Sequence, residues 1–219
     1  MLFLSVRHPA SRRTANTTTM QFIPMTLSEA AECNKHPILE KLRPLLRNYT
    51  AVLEIGSGTG QHAVFFASAL SHLVWKPSEL PDKLILLTSM CRNYPSKNLA
   101  MPLPLDIDDD RWPIVHADAV FTANTLHIIH WPQVCRLFRH VGALLPQQGL
   151  FCAYGPFNVD GRYTSASNAQ FDEWLKSRDP GGGIRDKADL QSLAEKYGLS
   201  LQDDLIMPTN NHMLVWRRN

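Results

Sequence analysis

The sequence predicts an α/β fold: a Rossmann-like three-layer sandwich with a mostly parallel seven-stranded sheet whose last strand is antiparallel. Three observations carry this expectation. Val52 to Gly60 reads Val-Leu-Glu-Ile-Gly-Ser-Gly-Thr-Gly, an apolar run that breaks into three glycines spaced by two. Such a run is a buried parallel strand feeding a tight turn, the opening unit of a doubly wound sheet. Further short apolar runs alternate with helical patterns along the chain, the signature of repeated βα units. Finally, Pro208-Thr209-Asn210-Asn211-His212 joins the last two apolar runs, and so short a loop allows only an antiparallel pair.

In chain order, Leu27 to Asn48 reads as a helix interrupted at Pro37 and Pro44, with Ser28-Glu29 suited to its start. Strand one is Ala51 to Ile55. The next helix spans about Gln61 to Leu70 and turns Ala63, Val64, Phe66, Ala67 and Leu70 inward. Strand two is Leu73 to Lys76, followed by a helix from about Leu80 to Tyr94. Strand three lies near Ala100 to Leu105. Strand four, Ala117 to Ala123, contains the apolar Ala119-Val120-Phe121 of a central parallel strand. A helix at about Pro132 to Leu145 leads to strand five, Leu150 to Tyr154. Helices follow at Ser167 to Lys176 and Lys187 to Tyr197, the second closed by Gly198. Leu199 to Met207 and Met213 to Arg217 are the final strands.

The 219 residues are 44% hydrophobic, enough to core one domain, expected over residues 27–219. A net charge of +2 without a long basic stretch gives no footprint for nucleic acid. No apolar run approaches the ~20 residues of a membrane span. Cys33, Cys91, Cys135 and Cys152 are scattered, with no Cys-x-x-Cys pair for zinc or a disulfide frame, and no metal is expected. The first 26 residues hold three arginines and no acid, and read as a flexible tail. A cytoplasmic location is expected, and the tail leaves a mitochondrial one open because its composition also suits a transit peptide.

The glycines narrow the ligand. A dinucleotide fingerprint needs Gly-x-Gly-x-x-Gly, but Gly60 comes one residue early and Gln61 stands where the third glycine belongs. Gln61-His62 cannot serve as the Lys-Ser/Thr of a P-loop. Glu54 beside the loop would repel a pyrophosphate and suit an ammonium group. Glu54, Gly56, Gly58 and Gly60 together resemble motif I of class I methyltransferases, which implies S-adenosylmethionine, a phosphate-free sulfonium amino acid, as cofactor. Ser57 lies within that loop. Glu79, nineteen residues after Gly60, has the spacing of an acid that holds a ribose diol. A cap for the helix expected from Leu80 is the lesser alternative, and the two roles can hold together. Asp106, ending the third apolar segment, resembles the residue that accepts from the adenine amino group, although a turn-forming role in the acidic run 106–110 fits as well.

Ordered blocks along the rest of the chain sharpen the comparison. They include Asn34-Lys35-His36-Pro37-Ile38-Leu39, Trp75-Lys-Pro-Ser-Glu79, Asn124-Thr-Leu-His-Ile128, Tyr154-Gly-Pro-Phe157 and Met207-Pro-Thr-Asn-Asn211. Ser167-Asn168, Phe171-Asp172, Arg178-Asp-Pro180 and Ile184-Arg-Asp186 complete the set. From about Leu27 to Arg218 the chain resembles the methyltransferase-like 26 family. That resemblance implies a class I methyltransferase fold and S-adenosylmethionine binding, without naming a substrate. Cys33 stands where the family usually has Arg, Gly181-Gly182-Gly183 replaces a Trp-Gly pair, and Glu79 replaces the commoner Asp. These departures bear on the acceptor more than on the cofactor.

The expected crevice gathers Asn124 and His127 after strand four, Tyr154 after strand five, Asn210 and Asn211 from the last loop, and Asn34 and Lys35 from the first helix. Methyl transfer is an in-line displacement needing alignment and, where necessary, removal of the acceptor's proton. His127 is the candidate base, since an unshifted imidazole titrates near neutrality; a hydrogen-bonded structural role fits it equally. Tyr154 is placed beside it as catalytic, Asn124 with the cofactor, and Asn34, Lys35, Asn210 and Asn211 with the substrate. The expected activity is S-adenosylmethionine-dependent methyl transfer to a small molecule. A non-catalytic cofactor- or partner-binding domain remains the alternative, because Asn124-Thr-Leu-His stands where base-amino methylases carry Asn/Asp-Pro-Pro-Tyr/Phe.

Overall fold

The computed structural model describes residues 28–112 and 116–219. The tail expected over residues 1–26 lies outside them. The elements are α1 (Glu29–Leu45), β1 (Ala51–Ile55), α2 (Gln61–Ala69), β2 (Val74–Glu79), α3 (Leu84–Asn93), β3 (Leu103–Pro104), β4 (Ala119–Ala123), α4 (Trp131–Leu144) and β5 (Leu150–Gly155). Then follow β6 (Phe157–Asn158), α5 (Ala166–Arg178), β7 (Arg185–Asp186), α6 (Lys187–Lys196), β8 (Leu199–Met207) and β9 (Asn211–Arg218).

Seven strands form one sheet in the order β3-β2-β1-β4-β5-β9-β8, while β6 and β7 pair apart. The pairings among β1 to β5 are parallel, and β9 runs antiparallel to both β5 and β8. This is the class I methyltransferase topology. β1 and β5 are buried at every position, as strands covered on both faces must be. Alternate side chains then serve two cores. Val52, Phe121 and Val215 meet Ile38 and Leu42 of α1 and Phe66 of α2. Leu53, Val120, Phe151 and Trp216 meet Phe138 of α4 and Leu190 of α6.

Four elements depart from their sequence expectation for local reasons. α1 runs unbroken through Pro37. Pro37 removes one hydrogen bond, but Ile38 and Leu42 are fully buried around it, and that packing carries the helix through. β2 extends to Glu79 across Pro77. The Trp75 N–H reaches the Asn98 carbonyl on the β3 side, so Pro77, two residues on, faces that side where no strand yet runs. α3 starts only at Leu84, because residues 80–83 close a turn through Lys83 N–H to the Leu80 carbonyl. β3 is only two residues long.

Candidate functional site

At the carboxyl end of β1 the three glycines have three distinct reasons to be glycine. All hold φ in the left-handed region, +70°, +56° and +88° for Gly56, Gly58 and Gly60. A Cβ on Gly56 would stand 2.7 Å from the Thr125 hydroxyl, and one on Gly60 would stand 2.7 Å from Leu87. A Cβ on Gly58 would meet nothing within 4 Å, because the turn there opens onto a cavity of about 390 Å³. Gly56, Ser57, Gly58, Glu79, Asp106 and Asn124 all line that cavity.

Two residues expected there lie elsewhere. Gly60 begins α2 and packs against α3, away from the cavity wall. Glu54 is 2% exposed beneath the loop and accepts a hydrogen bond from Trp75 Nε1 at 2.7 Å. Desolvation pushes its carboxyl up to about 7. Its backbone carbonyl accepts from the Ser78 hydroxyl, while the Ser57 hydroxyl accepts from the Ser78 N–H, so Glu54 and Ser78 brace the turn from below.

The end of β2 supplies the acid that faces the cavity. Glu79 Oε2 accepts from the Gly58 N–H at 2.7 Å and Oε1 from its neighbour Leu80 at 2.9 Å. With α3 starting five residues later, at Leu84, Glu79 does not cap that helix. Asp106 Oδ1 accepts from the Asp108 N–H at 2.9 Å, so the turn-forming role and the cavity position coexist.

α1 crosses this mouth and is tied to the loop by Gln61. The Gln61 amide oxygen accepts from the Ser28 N–H at 2.6 Å, and its nitrogen donates to the Ser28 carbonyl and to Glu32. One turn on, Asn34 Oδ1 and His62 Nε2 are 2.6 Å apart, and burial lowers the His62 pKa to about 4. Lys35 points away from both Asn34 and the crevice: it pairs with Glu32 and lies over the Phe65 ring. Successive helical residues project about 100° apart, so adjacency to Asn34 placed Lys35 on the wrong face.

A second cavity, about 860 Å³, adjoins the first and shares Ser28, Asn124 and Ile128 with it. Asn34, His127, Tyr154 and Asn211 line it as the sequence predicts. The Tyr154 hydroxyl accepts from Asn211 Nδ2 at 3.0 Å, and burial raises its pKa. Asn210 does not line this cavity. A left-handed turn (φ +58°) directs its amide toward Ser167 at 3.4 Å, while its carbonyl accepts from buried Asn168.

His127 is 4% exposed, and no group among the described residues hydrogen-bonds its ring. Its pKa falls to about 4, mainly by desolvation and then by the nearby Arg185 charge, instead of lying near neutrality. Arg185 donates from Nε to the Leu126 carbonyl at 3.0 Å and from Nη2 to the Ile129 and Gly181 carbonyls, fixing the segment that bears His127. Sequence reasoning missed this clamp. It also missed the wall formed by Phe171, Trp174 and Arg178, although their i, i+3, i+7 spacing on a predicted helix marks one face. Among the described residues no group of three or more His, Cys, Asp or Glu could hold a metal ion, and no described helix is long and apolar enough to cross a membrane.

Solved structures share this architecture. The S-adenosylmethionine-dependent methyltransferase SibL, in its apo form, superposes with a TM-score of 0.74 at 21% identity, over 86% of this chain and 55% of SibL. Human N-acetylserotonin methyltransferase in complex with S-adenosylmethionine gives 0.73 at 14% identity, over 87% of this chain and 53% of its own. PigF with S-adenosylhomocysteine gives 0.74 at 16%, over 86% and 56%. The chain thus spans little more than half the length of these structures, and the likeness is one of fold. Residues 25–218 match the family model described as protein of unknown function DUF938, so the chain belongs to the DUF938 family.

Proposed function

We propose that this protein is an S-adenosylmethionine-dependent methyltransferase acting on a small molecule, as its resemblance to the methyltransferase-like 26 family also implies. The observation that carries the reading is the junction of two cavities at Asn124. One is an open cavity under the glycine turn, bordered by the Glu79 and Asp106 carboxylates; the other is bordered by the buried His127 ring, which no described residue hydrogen-bonds. The first fits the cofactor on its own features: open space above Gly58, a carboxylate at Glu79 for a diol, and Asp106 beyond it. Bound there, S-adenosylmethionine supplies a sulfonium methyl group for displacement by an acceptor heteroatom. The fold neighbours with S-adenosylmethionine or S-adenosylhomocysteine support that choice of cofactor.

The chain's own residues do the rest. Ser28 and Gln61 close α1 over the glycine turn and exclude water. Asn34, Tyr154 and Asn211 form a linked polar edge that orients the acceptor. His127, neutral at pH 7, offers one N–H and one lone pair, and the lone pair is placed to hydrogen-bond and orient an acceptor's O–H or N–H.

Thermal unfolding tests the reading. S-Adenosylmethionine or S-adenosylhomocysteine at 100 times its dissociation constant stabilises by about 2.7 kcal/mol and raises Tm, whereas NAD leaves Tm unchanged. Gly58→Val, whose side chain would fill the open space above the turn, abolishes the shift. Stabilisation by NAD alone would overturn the proposal. Cofactor binding without methyl transfer to any metabolite pool would leave a binding domain in place of an enzyme.

A further inference from the structure

We propose that the second cavity accepts a planar aromatic molecule with a hydroxyl at its inner end and a negatively charged group at its outer end. This rests on the methyltransferase reading and names its substrate class.

The first observation is the wall. Phe171 and Trp174 are stacked at 5.8 Å with ring planes 17° apart, and Phe171 meets the His127 ring edge-on at 5.3 Å. Trp174 is 48% exposed along the cavity, an unusual amount for so large an apolar ring. A flat ring laid on this surface gains offset stacking that an aliphatic molecule of equal size does not.

The second observation is charge. Among the described residues the only carboxylate bordering the cavity is Asp179, and it is engaged: His130 Nε2 lies 2.9 and 2.8 Å from its two oxygens, and the Gly181 N–H donates to one of them at 3.0 Å. Arg178 lies over the Trp174 ring at 4.3 Å, and no carboxylate among the described residues pairs with it. A cationic acceptor would have to compete with His130 and Gly181 for Asp179, whereas an anion finds in Arg178 a guanidinium with no carboxylate partner among the described residues.

The third observation is spacing. Phe171, beside His127, and Arg178 are seven residues apart on α5, roughly 10 Å along the axis at 1.5 Å per residue. The inner end is polar yet uncharged, with His127 neutral and Tyr154 protonated. A hydroxyl about two fused rings away from the anionic group therefore reaches His127. In methyl transfer the hydroxyl oxygen forms a C–O bond to the sulfonium methyl of S-adenosylmethionine. The C–S bond breaks with its electron pair left on sulfur, and the hydroxyl proton, hydrogen-bonded to neutral His127 as the oxygen attacks, is released to solvent.

The test uses 6-hydroxy-2-naphthoate, whose hydroxyl and carboxylate stand at opposite ends of a fused ring pair. 2-Naphthol, 6-(aminomethyl)-2-naphthol and trans-4-hydroxycyclohexanecarboxylate are its comparators. Calorimetric titrations run with and without S-adenosylhomocysteine, so the cavity's selectivity is read even where cofactor binding fails. The hydroxynaphthoate binds at least about tenfold more tightly than 2-naphthol, the size of one charge-assisted contact. Arg178→Gln brings these two to parity, and Trp174→Ala weakens both. Both positions are exposed, so the variants are expected to fold, and an S-adenosylhomocysteine melting shift checks this independently. Tightest binding by the aminomethyl or cyclohexane compound, insensitivity to Arg178→Gln, or no aromatic binding at all overturns the inference. Loss of the S-adenosylhomocysteine shift in the wild-type protein instead overturns the cofactor reading.

Discussion

Glu54 illustrates how a residue can matter at a site it does not touch. Its carboxyl is enclosed under the glycine turn, hydrogen-bonded to Trp75 and pushed up to about 7. From pH 4.5 to 7 the folded protein retains a proton that the unfolded chain releases. Stability from this group therefore declines as pH rises through that window, by on the order of 3 kcal/mol. Glu54→Gln keeps an acceptor for Trp75 and removes the titration. The variant should melt several degrees above wild type at pH 8, with the difference vanishing near pH 4.5. A lower melting point at pH 8 would mean that the charge is compensated in a way the structure does not contain.

Among the elements, the glycine turn separates packing from ligand access. Ala at either Gly58 or Gly60 carries left-handed strain of about 1–2 kcal/mol. Only Gly60→Ala also collides with α3, at Leu87 and Met90. Urea unfolding should show Gly60→Ala less stable than Gly58→Ala by a further ~1–3 kcal/mol of overpacking; equal stabilities would remove the packing role. Much of this architecture was legible in the chain. β1 and β8 begin and end where the sequence places them, and Gly198 closes α6 in the left-handed conformation. β3 shrank because Pro102 and Pro104 lack N–H donors for a ladder. Glycine spacing led to the turn, Glu79 and Asp106, and the loop after β4 to Asn124 and His127. Lys35 and Asn210 went astray because chain adjacency says nothing about facing, and Glu54 because its carboxylate is turned into the core. Helical spacing marks Phe171, Trp174 and Arg178 as one face, but that this face and Arg185 meet His127, more than 40 residues away, is encoded by no local pattern.

Across the whole molecule, two buried histidines connect α1 and both cavities to acid sensitivity. His62 and His127 each titrate at about 4, below the usual 6.5. As pH falls below 6.5 the unfolded chain takes up protons that these rings refuse, so stability present at pH 7 is progressively lost. At pH 5 the loss is about 2 kcal/mol per histidine, partly offset by Glu54, which acts in the opposite direction. Urea unfolding at pH 7 and pH 5 should show this loss in the wild type and not in a His62→Gln/His127→Gln double variant. Full acid sensitivity in the double variant would sink the assignment of neutral rings. The same region carries one more consequence. Ser28 borders both cavities, and a single Gln61 side chain grips its N–H and its carbonyl. Both chambers thus share one latch. A ligand in either cavity that favours the tied position of Ser28 therefore also holds in place a wall of the other, so the two cavities are thermodynamically linked through one side chain.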